Sequence, residues 1–209
     1  MHRLRFRHAA LAAAVVTIGA IGACSDSTGP GTGVMMVQLT DAPFSSDSVS
    51  RVDVYVVRVD AKAAESDSAD AAHAATDDSV ASGGWTTIAT PNRSIELLSL
   101  RNGLTTQLGV TSMPAGSYRS FRLILDPTKS SVTLKNGAVL TATSTPNVSF
   151  PSASRTGIKV NLSQPVVIAA GDTTTTLLDF DVSNSFVMRG GPIATSGLTF
   201  KPVIRGTIR

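Results

Sequence analysis

The sequence contains few of the side chains on which hydrolases and metalloenzymes commonly depend. Cysteine occurs once, as Cys24, and histidine occurs three times among 209 residues. A single cysteine excludes a disulfide within the chain and a zinc site built from several cysteines. His2 and His8 lie at the start, and only His73 lies in the body of the chain. One histidine is too few for a His-based metal centre, so neither a metal nor another cofactor is expected.

Aromatic residues are also scarce, and basic residues do not cluster. Because only 5% of the residues are aromatic, Trp85 and Tyr118 are expected to pack in the core rather than to form a sugar-stacking platform. Three of the 18 Lys and Arg residues precede Cys24, whereas all 15 acidic residues follow it, which leaves the remainder without formal net charge. Nucleic-acid binding needs a clustered basic surface, so no nucleic-acid partner is expected.

The first 23 residues have the pattern of a signal peptide. Residues 1–8 contain three arginines and no acid, and residues 9–23 are almost entirely apolar. An apolar helix of this length would extend only about 22 Å, whereas the hydrocarbon core of a membrane is about 30 Å thick. The segment is therefore expected to be a secretion signal and not a membrane span.

The signal ends in Ile21-Gly22-Ala23-Cys24, which resembles the lipobox of bacterial lipoproteins. The resemblance implies cleavage before Cys24, a diacylglycerol on its sulfur and an acyl chain such as palmitate on its amino group. Two or more acyl chains anchor a protein stably to a membrane. Ser25 stands where aspartate would retain an enterobacterial lipoprotein in the inner membrane, which favours the outer membrane. Residues 24–33 would then be the lipidated cysteine and a flexible tether, and ordinary cleavage with a free thiol is the alternative.

Residues 34–209 are expected to form a single all-β domain, because apolar and polar residues alternate along most of this stretch. In residues 51–60, Val52, Val54 and Val56 fall on one face, and the alternation slips near Val57, which indicates a bulge. Turn residues separate the predicted strands. The pattern predicts an antiparallel β-sandwich of roughly nine strands.

Two features interrupt the strands. Asn102-Gly103 and Asn136-Gly137 each lie between two predicted strands, which is typical of tight hairpins. Residues at about 61–84 are rich in alanine and aspartate, and we expect a disordered or weakly helical insertion there. His73 lies in this insertion, which is a poor scaffold for Ser–His–Asp or Cys–His catalysis.

Carboxylates are the remaining candidates for a functional site. Asp179 and Asp181 flank Phe180, so on a continuous strand they would share one face, and Asp41 and Asp126 end predicted strands. Paired carboxylates suit glycoside hydrolysis, and oxygen ligands suit Ca²⁺. The simpler alternative is that Phe180 enters the core while Asp179 and Asp181 face water or cap a turn. Asp41, Asp179 and Asp181 are the candidates for ligand binding, and no residue is assigned a catalytic role.

Several segments occur in the order expected for a known family. They are VQLTDAP (37–43), SVSRVDVYVVRVD (48–60), IELLSLRNG (95–103), MPAGSYRSFRLIL (113–125), FPSASRTGIKV (150–160), LLDFDVSNSFV (177–187) and FKPVIRG (200–206). From residue 34 onward, the chain resembles the bacterial lipoprotein domain-of-unknown-function family 4382 (DUF4382). The resemblance implies a lipid-anchored β-sandwich without an established activity. The turn at 114–118 also resembles the PxGxY turn of transthyretin-like and carbohydrate-binding-like sandwiches, which delivers a tyrosine into the core.

These observations favour an exported protein, anchored by lipid, whose sandwich is a noncatalytic binding or structural module of the cell envelope. The expected partner, besides the membrane, is a glycan or another envelope protein. Two alternatives stay open. One is a hydrolase of envelope polysaccharide that uses paired aspartates, and the other is an adhesin domain stabilised by a divalent cation.

Overall fold

The computed structural model describes residues 31–42, 48–64, 84–151, 153 and 155–209. Cys24, His73 and most of the predicted insertion lie outside the described residues, so the predictions made for them stay predictions. Residues 61–63, which were expected in the insertion, belong instead to a long strand. No helix in the described part of the chain is long and apolar enough to cross a membrane.

The described residues contain fourteen strands in three sheets. The first sheet contains β1 (Thr32–Asp41), β5 (Thr106–Pro114), β11 (Thr173–Phe180) and β14 (Ile204–Ile208), in the order β14–β11–β1–β5. The second contains β2 (Val49–Ala63), β3 (Trp85–Ala89), β4 (Arg93–Glu96), β6 (Gly116–Leu125), β7 (Ser131–Leu134), β8 (Val139–Thr141) and β10 (Ile158–Ile168). Its order is β10–β6–β2–β7–β8, with β3 and β4 also paired to β2. The small third sheet contains β9 (Val148–Ser149), β12 (Phe186–Met188) and β13 (Leu198–Phe200).

Within the described ranges, four short helical turns connect these strands. They are the 3₁₀ turns η1 (Leu97–Leu100) and η2 (Pro127–Lys129) and the single-turn α-helices α1 (Val182–Ser185) and α2 (Ile193–Ser196). Helical structure is therefore limited to single turns in the described residues, as the weak helical periodicity of the sequence indicated.

The first two sheets pack face to face around one apolar core. In β1, Met35, Val37 and Leu39 have no exposed surface and alternate with half-buried residues. Phe121 and Leu123 of β6 are fully buried in the same cluster from the opposite sheet. The period of two along each strand thus forms the two inner faces of a sandwich. The all-β sandwich predicted from the sequence is confirmed.

Strand pairing in the first sheet is mixed rather than entirely antiparallel. β1 runs parallel to β11, with Leu39 opposite Leu178 and Asp41 opposite Phe180. β9 and β13 also pair in parallel, and the strands outnumber the predicted nine or so because several are only two to four residues long. The parallel pair brings the carboxyl ends of β1 and β11 to the same end of the sandwich.

The structure confirms one predicted hairpin and contradicts the other. β7 and β8 pair across Asn136-Gly137, with Val132 opposite Leu140. Asn102 and Gly103 adopt the positive φ values of a tight turn, 63° and 80°. The strands on either side of that turn nevertheless pair elsewhere, β4 with β2 and β5 with β1. The turn therefore carries the chain from one sheet to the other.

Bulges change the direction in which side chains point. The predicted bulge near Val57 is present, since the β2–β6 register shifts between Val56 and Arg58. Beyond it the alternation is reversed, and Asp60 and Lys62 point away from the core that buries Val59 and Ala61. A second bulge explains why the two strands predicted at 158–162 and 165–169 are a single strand, β10.

Two glycines allow the edges of the two large sheets to approach each other. A Cβ atom on Gly109 of β5 would overlap the Cβ atom of Ala89 in β3. A Cβ atom on Gly206 of β14 would overlap the side chain of Leu162 in β10. The edge strands β5 and β14 thus lie close against the opposite sheet, and a larger residue at either glycine would push the sheets apart.

Candidate functional site

Asp41 is buried at the carboxyl end of β1. It follows the core residues Met35, Val37 and Leu39 on the same face of the strand, and only 3% of its surface is exposed. Its Oδ1 accepts a hydrogen bond of 3.2 Å from the backbone N–H of Val182. Its Oδ2 is buried and has no hydrogen-bond partner among the described residues. Asp41 therefore occupies a core position rather than an open binding surface.

Asp179 and Asp181 do not form the pair that a continuous strand would give. β11 ends at Phe180, which is fully buried. Asp181 lies beyond it as the N-cap of α1, where Oδ1 accepts from the backbone N–H of Asn184 at 3.1 Å and Oδ2 accepts from its side-chain amide at 2.8 Å. Asp179 is half-buried, and its Oδ1 has no partner in the described part of the chain. Phe180 thus fills the core while Asp181 caps a turn.

The three aspartates nevertheless interact electrostatically. The pKa of Asp41 is raised from 3.8 to about 7, first by burial and then by the negative charges of Asp179 and Asp181, against the effects of the Val182 hydrogen bond and of Arg101. The pKa of Asp179 is also raised, by burial and by the charge of Asp181. We call the region formed by Asp41, Asp179 and Asp181 the acidic end of the sandwich.

Among the described residues, the acidic end lacks the arrangement that a metal site needs. Within the described ranges, no group of three or more His, Cys, Asp or Glu side chains is placed to hold a metal ion. Asp41 shares its face with the core residue Phe180 opposite it, whereas Asp179 points to the other face of β11. The carboxylates are close enough to affect one another, but they do not converge on one point.

Asp126, the fourth candidate, has a local structural role. It follows β6 and caps η2, accepting hydrogen bonds from the backbone N–H and hydroxyl of Thr128 at 2.9 and 2.6 Å. These hydrogen bonds and nearby Lys129 lower the pKa of Asp126. A carboxylate that stays ionised and bound to its own turn is poorly suited to act as a general acid.

Neither Trp85 nor Tyr118 offers an open face for a sugar. Tyr118 is buried in the core, as the PxGxY resemblance implied, and its hydroxyl donates a hydrogen bond of 3.0 Å to the carbonyl of Pro114. Trp85 is also buried, but on the outer side of the second sheet rather than in the main core. The guanidinium of Arg122 lies 4.5 Å from the centre of its ring.

Arg122 belongs to a buried charged cluster that the sequence analysis missed. Asp60 and Arg122 lie opposite each other on β2 and β6, and both have no exposed surface. Asp60 Oδ2 accepts from Arg122 Nη2 at 2.9 Å, and Asp60 Oδ1 accepts from the hydroxyl of Thr87 and from Arg58 Nε, each at 2.9 Å. We call Arg58, Asp60, Thr87, Trp85 and Arg122 the polar layer. In the sequence, this cluster is visible only as charged residues at alternate positions after the bulge, Arg58, Asp60 and Lys62. That pattern resembles the exposed face of a strand.

The fold and the site define an all-β sandwich protein with three candidate aspartates at one end of the fold. The family model for a domain of unknown function, DUF4382, matches residues 32–202. This match covers most of the chain, so the protein belongs to the DUF4382 family, as the sequence resemblance implied. Comparisons with curated proteins and with solved structures found no match.

Proposed function

We propose that the mature protein begins at Cys24, carries lipid on that residue and serves as a noncatalytic binding or structural module of the cell envelope. The observation that carries the proposal is the composition of residues 1–24, with a basic start, a short apolar stretch and the Ile21-Gly22-Ala23-Cys24 ending. Ser25 favours the outer membrane as the site of anchoring. The proposed partner is a glycan or another envelope protein.

The start of the sandwich supports close tethering to a membrane. β1 begins at Thr32, so residues 25–31 separate it from Cys24 and extend at most about 25 Å. The turns that meet the start of β1 would lie nearest the lipid, since Ala115 N–H donates to the carbonyl of Gly31 and Gly171 N–H donates to that of Thr32. A strand as long as β1 extends about 33 Å. The acidic end would therefore face away from the membrane, towards other envelope components.

The placement of the candidate carboxylates supports the noncatalytic part of the proposal. Oδ2 of Asp41 and Oδ1 of Asp179 are buried, so a polysaccharide would not reach them without opening the fold. Asp126 and Asp181 are held by caps to their own turns. A hydrolase of the usual kind needs two carboxyl groups that flank a bound sugar.

A Cys24→Ser substitution tests the lipid anchor. We expect the wild-type protein to incorporate an alkyne-labelled fatty acid and to fractionate with membranes, because the thiol is the group that the diacylglycerol modifies. Cys24→Ser should take up no label. Ser27→Ala, which changes a nearby tether residue and keeps the cysteine, is the matched control and should behave as wild type. Wild-type protein that carries no label, or Cys24→Ser that is labelled equally, would refute the anchor.

An assay on isolated envelope polysaccharide tests the noncatalytic role. We expect purified protein to release no new reducing ends, because the candidate carboxylates are buried or bound to their own turns. Asp181→Asn is the informative variant. Release by wild type that this substitution abolishes would establish the hydrolase alternative instead.

A further inference from the structure

Asp41 links β1 to a segment that closes one end of the sandwich. Its hydrogen bond to Val182 joins two positions that are 141 residues apart in the chain. Val182 and Ser185 of α1 are both fully buried. Because the bond lies in the interior, it helps to hold α1 against the sandwich.

The segment 181–203 is itself closed by hydrogen bonds at its base. The N–H of Asp181 donates to the carbonyl of Val203 at 2.9 Å, and the N–H of Val203 donates to the hydroxyl of Ser185 at 2.8 Å. That hydroxyl in turn donates to the carbonyl of Asp181 at 2.6 Å. These bonds keep the two ends of the segment together. If the segment moved away from the sandwich, its attachment to β1 through Val182 would be one of the contacts that break.

The charges around Asp41 come from three directions. Asp179 approaches from β11 and Asp181 from the cap of α1, and both disfavour a negative charge on Asp41. Arg101, which follows η1, favours that charge but acts more weakly than either aspartate. Oδ2 of Asp41 has no donor among the described residues. Within the described structure, an ionised Asp41 would thus be a buried charge with one backbone donor and two like charges nearby.

We propose that ionisation of Asp41 opens the segment 181–203, so that this end of the sandwich is closed in mildly acidic solution and opens more often in alkaline solution. The neutral carboxyl keeps its bond to Val182 without a desolvated charge. When the proton leaves, opening of α1 admits water to the carboxylate and relieves its repulsion by Asp179 and Asp181. This device does not depend on the proposed envelope function.

The direction of the effect follows from proton linkage. Burial raises the pKa of Asp41 to about 7 in the closed form, whereas a solvated carboxyl has a pKa near 3.9. The closed form therefore binds the proton more tightly, and its advantage is lost as the pH rises through about 7. Between about pH 4 and pH 7, the opening constant should increase by up to about tenfold per pH unit, and above about pH 7 it should level off.

Hydrogen exchange on the full-length chain in detergent, compared at pH 5.5 and pH 8.5, tests the proposal. After correction for the intrinsic pH dependence of exchange, we expect amides of 181–203 to exchange at least about tenfold faster at the higher pH. Amides of β6 serve as the internal control and should not change. Asp41→Asn, which keeps an oxygen for the Val182 bond but cannot ionise, should abolish the excess. Equal pH responses in wild type and Asp41→Asn would overturn the proposal.

A second variant keeps the proposal testable if Asp41→Asn does not fold. Asp179→Asn removes one of the two negative charges that oppose ionisation of Asp41. The pH-dependent acceleration should still occur in this variant, but its midpoint should lie at lower pH. A midpoint that does not move, or an acceleration spread evenly over 181–203 and β6, would also refute the local mechanism.

Discussion

At the scale of single residues, Asp60 is the most consequential buried charge in the described structure. It accepts hydrogen bonds from Arg58, Thr87 and Arg122, while Arg122 also packs against Trp85. Burial of a charge is costly unless a partner of opposite sign balances it. The polar layer is therefore sensitive to the loss of any one member.

We predict that Asp60→Asn lowers the free energy of unfolding by about 3–5 kcal/mol, because it removes the charge that balances the buried Arg122. Urea denaturation followed by circular dichroism measures the change. Asp53→Asn is the control, because Asp53 pairs with the exposed Arg51 and surface ion pairs add little. A small loss for Asp60→Asn, comparable to that of the control, would contradict the role assigned to the polar layer.

Tyr118 offers a second test at this scale. It lies on β6, its ring is buried, and its hydroxyl donates to the carbonyl of Pro114. Tyr118→Phe keeps the ring and should cost about 1 kcal/mol, the net value of one hydrogen bond, whereas Tyr118→Ala should cost about 3–5 kcal/mol through the cavity it leaves. Similar losses in both variants by urea denaturation would show that the hydroxyl, and not packing, dominates.

At the scale of elements, the connection from β4 to β5 shows what local sequence can and cannot predict. Asn102-Gly103 was correctly interpreted as a tight turn, since both residues have positive φ. The pairing of the flanking segments was wrong, because Leu97, Leu98 and Leu100 are buried in η1 and turn the chain towards the other sheet. Turn chemistry is local, whereas the choice of a partner strand depends on the whole core.

The close contact between the strands β5 and β3 leads to a prediction about the stability of variants at Gly109 and Ala89. Gly109→Ala should lower the free energy of unfolding by about 1–3 kcal/mol, because its Cβ atom would overlap that of Ala89. Adding Ala89→Gly should restore part of the loss, although Ala89→Gly alone should be destabilising. Urea denaturation of the two single variants and the double variant forms the test. Strictly additive losses would show that the two positions do not touch.

At the scale of the whole molecule, the sequence was sufficient for the all-β sandwich and for most strands. The alternation in residues 51–60 even located the bulge at Val57. It was not sufficient for the parallel pairing of β1 with β11, or for the burial of Asp41, since both depend on strands far apart in the chain. Sequence patterns therefore identified the aspartates that collect at one end, but they did not predict the burial of Asp41.

The burial of Asp41 leads to a prediction of how the whole protein responds to divalent cations. Because Asp41 is buried and Asp181 is hydrogen-bonded to its own turn, we predict that adding Ca²⁺ or a chelator changes the melting temperature by less than about one degree. Thermal denaturation followed by circular dichroism, with and without each reagent, is the measurement. A clear loss of stability on chelation that Asp181→Asn removes would favour the cation-stabilised adhesin alternative.

Trp85 is the only tryptophan of the chain, and its ring lies against the guanidinium of Arg122. Indole emission depends strongly on nearby charge and water, so the native chain carries an intrinsic optical reporter of this one location. Stopped-flow mixing or a binding titration would register any event that separates the ring from the guanidinium, with no added dye and no second indole to subtract.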